Sequence, residues 1–136
     1  MAYLIDSSVF ITLERQRRPL GDLALVASSD EPVALAAITA SELLVGVHRA
    51  DTLERRLRRE TFVEAVLALL PLIPFDLQVV RVYARVWAEL LNRGQLIGSN
   101  DLMISATALA HGYAVLTDNL RDFERVRELS IQQPIW

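Results

Sequence analysis

Carboxylates recur at four places along this 136-residue chain, each where an apolar run gives way to a turn or a helix start. They are Asp6 after Tyr3-Leu4-Ile5, Glu42 in Thr39-Ala40-Ser41-Glu42, Asp101 in Gly98-Ser99-Asn100-Asp101, and the pair Asp118 and Asp122 around Asn119. Acids carried on separate elements can meet at one edge of a sheet, and clustered carboxylates need a cation. Hard oxygen ligands suit Mg²⁺ or Mn²⁺. The pattern points to metal-assisted chemistry on a phosphate ester. Each station also has a plainer explanation. Asp6 suits a helix N-cap, and Glu42 suits the reciprocal partner of Thr39 in a capping box. Asp101 suits a first-turn acid facing the helix dipole, and Asp118 and Asp122 suit turn acids. Their joint placement at expected strand ends and helix starts favours a shared site.

Composition narrows the choices. The length fits one domain, residues 1–136. The 52% hydrophobic content is enough for a full core with some left for an oligomer interface. There is no cysteine, so disulfides, thiolate metal sites and thiol nucleophiles are excluded, and a reducing cytoplasm is the expected compartment. No signal peptide is expected, and no apolar stretch is long enough for a membrane span. The net charge of −3 argues against a general polyanion binder. All 14 basic residues are arginine, with clusters at Arg15, Arg17 and Arg18 and at Arg55, Arg56, Arg58 and Arg59. These read as solvated helix faces or as bidentate phosphate partners. His48 and His111 lack a second ligand at helical spacing, which argues against zinc. P-loop, dinucleotide-binding and serine-hydrolase motifs are absent.

The elements that must position the acids follow from the pattern. Tyr3–Ile5, Val33–Ala37, Ile73–Phe75 and Tyr113–Leu116 read as short strands, with a last one near Ile131. Helices are expected over Ser7–Glu14 and Asp22–Ala27, from Thr39 to about Arg49, and from an Asp51 cap to about Leu70. Two more run from an Asp76 cap to Asn92, ended by Gly94, and from near Asp101 to Gly112. In the Asp51–Leu70 helix, Leu53, Leu57, Val63 and Val66 fit an apolar stripe with the arginines facing away. In the next, Val80, Tyr83, Trp87 and Leu90 or Leu91 form the expected buried face. Alternating strands and helices imply an α/β domain with a largely parallel sheet. Ligands of such sheets bind beyond the carboxyl ends of the strands, which is where Asp6, Thr117 and Asp118 fall.

With these residues in place, the chain resembles the PIN-domain ribonucleases of the VapC type, from type II toxin–antitoxin systems. The stretches Tyr3–Ile11, Ile38–Leu43, Ile97–Ala106 and Val115–Val126 are similar to the family's four motifs, in order and nearly end to end. The resemblance implies a PIN-like three-layer α/β/α fold with a short, mostly parallel central sheet. It implies a Mg²⁺-dependent endoribonuclease, with Mn²⁺ able to substitute, that hydrolyses RNA with metal-activated water and leaves a 5′-phosphate and a 3′-hydroxyl. Asp6 and Asp101 would be metal ligands, Glu42 would bind metal or position the water, and Ser7 and Thr117 would supply hydroxyls. Many relatives carry an acid two residues after the Thr, where this chain has Asn119. The fourth acidic place is therefore open among Asp118, Asn119 and Asp122, with Asp118 grouped provisionally with the catalytic acids. A homodimer and a VapB-like antitoxin are implied partners. The antitoxin tail is expected in the groove between Glu14–Arg18 and the Asp51–Leu70 helix.

Other classes are less compatible. A receiver domain or a haloacid-dehalogenase-like phosphatase also gathers acids at strand ends, but each needs a lysine, and the latter needs an Asp where Ser8 stands. The remaining alternative is a PIN-fold module that binds RNA or antitoxin with impaired cleavage.

Overall fold

Strands and helices alternate along the whole chain in the computed structural model, which describes residues 1–136. The strands are β1 (Tyr3–Ile5), β2 (Val33–Ala36), β3 (Leu72–Ile73), β4 (Ala114–Leu116) and β5 (Ile131–Gln132). The helices are α1 (Ser7–Arg15), α2 (Leu23–Ala27), α3 (Ala37–His48), α4 (Leu53–Leu69), α5 (Leu77–Asn92), α6 (Ser99–His111) and α7 (Leu120–Phe123). A single 3₁₀ turn, Leu20–Asp22, precedes α2.

The five strands form one sheet in the order β3-β2-β1-β4-β5, and every pairing is parallel. Side chains alternate across it, as strand geometry requires. Ile5, Leu35 and Leu116 face one core with α1, α2, α3 and α4, where Phe10, Leu13 and Val66 are fully buried. Leu4, Ala34, Ala36 and Val115 face a second core with α5, α6 and α7, where Leu90, Leu102, Ile104 and Phe123 are fully buried. Burial of each such side chain stabilises by about 1.5–3 kcal/mol. The result is the expected α/β/α arrangement.

Strand order reverses between β1 and β4. From β1 the chain steps to β2 and β3 on one side, then crosses to β4 and β5 on the other. A crevice opens beyond the carboxyl ends at such a switch point. The residues directly after β1 and β4 are Asp6 and Thr117.

The helices differ from the sequence expectations in four respects, two of boundary or cap and two of buried face. α3 starts at Ala37 with Ala36 as its N-cap, because β2 runs into it without a loop. Thr39 therefore lies inside the first turn, and no capping box forms. α4 is capped by Thr52, whose hydroxyl accepts from the Arg55 amide at 3.1 Å, while Asp51 pairs with the Arg55 side chain. The expected apolar stripe on α4 fails in its first half: Leu53 and Leu57 are 72% and 55% exposed, and only Val63 and Val66 onward pack inward. On α5 the buried face is rotated to Val79, Val86 and Leu90, leaving Val80, Trp87 and Leu91 exposed. Asp76 does cap α5, accepting from the Val79 amide, and left-handed glycines follow α5 and α6 at Gly94 and Gly112.

Candidate active site

Asp6 stands at the N-cap of α1 in extended backbone, yet its side chain caps nothing. Its amide still donates to the Leu116 carbonyl at 2.9 Å, prolonging the β1–β4 ladder. Its Oδ2 accepts two hydroxyls, Ser8 Oγ at 2.7 Å and Thr117 Oγ1 at 2.8 Å. Each hydroxyl accepts in turn from the loop after β4: Ser8 Oγ from the Asp118 amide, Thr117 Oγ1 from the Asn119 amide. One carboxylate oxygen thus stitches together the ends of two strands, and Oδ1 carries no protein hydrogen bond. The side chain is only 5% exposed. Ser8 is the hydroxyl that sequence reasoning missed; its position two residues after an acid at a strand end was the available signal.

Glu42 reaches the same crevice from α3. Its Oε1 accepts from Ser7 Oγ and its Oε2 from Asn100 Nδ2, both at 3.4 Å. Burial first, then the nearby charge of Asp6, raises its pKa, and the two hydrogen bonds oppose that rise. A cap would instead turn Glu42 back to the start of its helix. Thr39, its expected partner, is fully buried with an unpartnered hydroxyl.

Asp101 sits in the first turn of α6, which begins at Ser99. Burial pushes its pKa up to about 6, helped by the charges of Asp6, Asp122 and Glu42 in that order. Asp101 thus feels carboxylates from three other segments, Asp6, Asp122 and Glu42, and Glu42 also feels Asp6. None of them has an arginine or the N-terminus within ion-pair distance.

Of the candidates for the fourth acidic place, Asp122 is the one whose charge bears on Asp101. It lies on α7, a short helix pinned by the fully buried Phe123. Asp118 is instead turned to α1 and the chain end, accepting from Thr12 Oγ1 at 3.2 Å and Trp136 Nε1 at 2.7 Å. It is not among the charges that raise Asp101. The physical reason is local: the Asp118 amide is tied to Ser8, and two donors already satisfy its carboxylate. The Asn119 side chain is exposed and contributes only its backbone.

The donor set fits a hard divalent cation. It offers carboxylate oxygens without histidine or thiolate, uncompensated by any basic side chain. As placed, no three acids or histidines close around a point at ligating distance. The crevice is thus open, and mutual repulsion between the acids is what a cation would relieve.

Residues 3–129 match the family model described as PIN domain. The chain is 36% identical over 132 residues to Ribonuclease VapC1 of Rickettsia felis, covering 96% of this chain and 95% of that protein. It is 33% identical over 98 residues to the tRNA(fMet)-specific endonuclease VapC of Salmonella typhimurium, covering 72% of each. Among solved structures, VapBC-5 from Mycobacterium tuberculosis, a member of the VapBC family of toxin–antitoxin systems, superposes with a TM-score of 0.77. The identity there is 29%, over 97% of this chain and 96% of that one.

Proposed function

The chain belongs to the PIN-domain family, in its VapC ribonuclease group, and from that premise we propose that it is the toxin of a type II toxin–antitoxin pair, a Mg²⁺-dependent endoribonuclease. One observation carries the reading: four carboxylates from four segments converge, without counter-charge, where the strand order of a parallel sheet reverses.

Asp6 and Asp101 would hold the ion, with Glu42 and Asp122 beside them. A divalent ion bound there supplies positive charge for the developing phosphate negative charge and lowers the pKa of water. The chain's own groups then have separable tasks. Ser8 and Thr117 fix one oxygen of Asp6 and leave the other free to ligate. Glu42, hung between Ser7 and Asn100, takes the proton of the attacking water at a carboxylate oxygen. The water oxygen bonds to phosphorus, the bond from phosphorus to the 3′ oxygen breaks, and that oxygen takes a proton from solvent to become a 3′-hydroxyl, with the 5′-phosphate on the other fragment; Glu42 returns its proton to solvent. The arrival of Asp122 in the cluster weighs against a module with impaired cleavage, since the charge absent at Asn119 is restored from one turn away.

The antitoxin would lie in the groove between α1, α3 and α4. Phe10, Ile11, Leu43, Phe62 and Val63 line it with the charged Arg15, Arg59 and Glu42. Apolar anchors flanked by charge suit a docked peptide segment. Val80, Trp87 and Leu91 on α5 offer an exposed apolar face for a second copy of the chain.

Purified protein with a mixed RNA substrate, in Mg²⁺ and in EDTA, tests the core of this. Cleavage should require the metal, and Asp6→Asn and Asp101→Asn should abolish it while circular dichroism stays unchanged. Full activity in either variant would overturn the assignment. Glu42→Gln should fold normally and cleave poorly.

A further inference from the structure

Two arginine runs far apart in the sequence meet across one cleft. Arg15 and Arg17 come from the end of α1, Arg49 from the C-cap of α3, and Arg55, Arg58 and Arg59 from α4. The backbone reverses at Arg17, which adopts the left-handed region with φ 55°, so that α1 stops beside the cleft. Six guanidiniums face two carboxylates, Glu14 and Asp51, in a chain whose net charge is −3. Asp51 is occupied by Arg55, and Arg15, Arg17, Arg49 and Arg58 have no carboxylate within ion-pair distance. Arg59 is anchored, donating to the Gly46 carbonyl at 2.8 Å. Like charges gathered on an exposed surface create a positive local potential that draws anions to it.

The cleft also connects to the acids. Glu14, Arg15 and Arg59 line both it and the groove that Glu42 also lines. The cleft therefore adjoins the groove, and a strand lying in it can extend toward Glu42. Guanidinium groups contact phosphate oxygens in bidentate fashion and carry no sequence preference by themselves.

We propose that this arginine cleft is the track that grips the RNA backbone beyond the cleavage point, through its phosphates. The proposal rests on the ribonuclease reading and adds the surface that positions the substrate. A docked acidic peptide is the less favoured occupant: Ala50 is the one apolar residue in the lining, so a peptide would find no anchor there.

The test is the salt dependence of binding to a fluorescein-labelled single-stranded RNA in EDTA, where cleavage is silent. Each phosphate contact on a single strand contributes roughly 0.7 to the slope of log K against log salt. The triple variant R17Q/R49Q/R58Q should therefore lose about two from that slope. With Mg²⁺ its KM should rise while kcat is kept. R81Q/R127Q, which removes charge elsewhere, should leave the slope as in the wild type. An unchanged slope in a folded triple variant, with wild-type protein still cleaving RNA, would overturn the cleft alone. Wild-type protein that neither binds nor cleaves RNA would overturn the ribonuclease reading and the cleft with it. A triple variant that keeps its slope but loses binding to hexaglutamate would assign the cleft to a protein partner and defeat the proposal.

Discussion

At the scale of single residues, the acids of the crevice oppose the fold that holds them. Asp101 has a folded pKa of about 6 against an ordinary 3.8. Between those values the folded chain retains a proton that the unfolded chain has released, so stability falls as pH rises through that window. Glu42 is shifted in the same direction. Asp101→Asn should therefore raise the melting temperature of metal-free protein at pH 7 and flatten its fall between pH 4 and 6. Added Mg²⁺ should stabilise the wild type more than the variant. Thermal scans across pH, with and without EDTA, check this; a variant less stable than wild type at pH 7 without metal would contradict it. The two candidate fourth acids separate by activity. Asp122→Asn should lower initial RNA cleavage rates by roughly two orders of magnitude, the size usual for losing one electrostatic group. Asp118→Asn, whose oxygen can still accept from Trp136 while its amide nitrogen donates to the Thr12 hydroxyl, should change them little.

At the scale of elements, helix starts decide what the polar residues do. Because α3 begins at Ala37, Thr39 is committed to the interior with its hydroxyl unpaired. Replacing an unsatisfied buried hydroxyl by a methyl group is expected to be neutral or stabilising. Thr39→Val should thus leave the denaturation midpoint unchanged or raise it, whereas a working capping box would make it fall. At α4 the cap is Thr52, and Thr52→Ala should cost about 1 kcal/mol in urea unfolding. Asp51→Ala, which breaks only an exposed pair, should shift the midpoint less. α7 has only four residues and is held by its burial rather than by its own hydrogen bonds. Phe123→Ala should cost about 3–5 kcal/mol by opening a cavity, and it should impair cleavage below the melting point as well, because Asp122 loses its anchor.

At the scale of the whole molecule, two cores on the faces of one sheet leave specific surfaces uncovered. The exposed face of α5 carries Val80, Trp87 and Leu91, placed there because Val79, Val86 and Leu90 take the inward positions. If this face pairs two copies of the chain, Trp87→Asp should convert a dimer to a monomer in analytical ultracentrifugation with the fold intact. No helix is long and apolar enough to cross a membrane. The apolar groove and the arginine cleft share Glu14, Arg15 and Arg59, so a segment seated in the groove would also obstruct the route from the cleft to Glu42.

The sequence by itself determined the alternation of strands and helices and the parallel sheet, and it placed the candidate acids, because strand ends and helix starts are local events. Asp6, Glu42 and Asp101 each stood at such a boundary, and four ordered motifs carried the family. The tertiary structure alone decided what depends on contacts across the chain. Ser8 and Thr117 clamp one oxygen of Asp6 only because β1 and β4, distant in sequence, are neighbours. Asp122 rather than Asp118 bears on the charge of Asp101, while Thr12 and Trp136 hold the Asp118 carboxylate. The rotation of α5 and the exposed start of α4 followed from which neighbours covered them, since periodicity names an apolar stripe but not the surface that buries it. The two arginine runs read either as solvated faces or as phosphate partners, and only the fold set them across one cleft, because charge placed far apart along a chain acquires a joint meaning only when the chain brings it together.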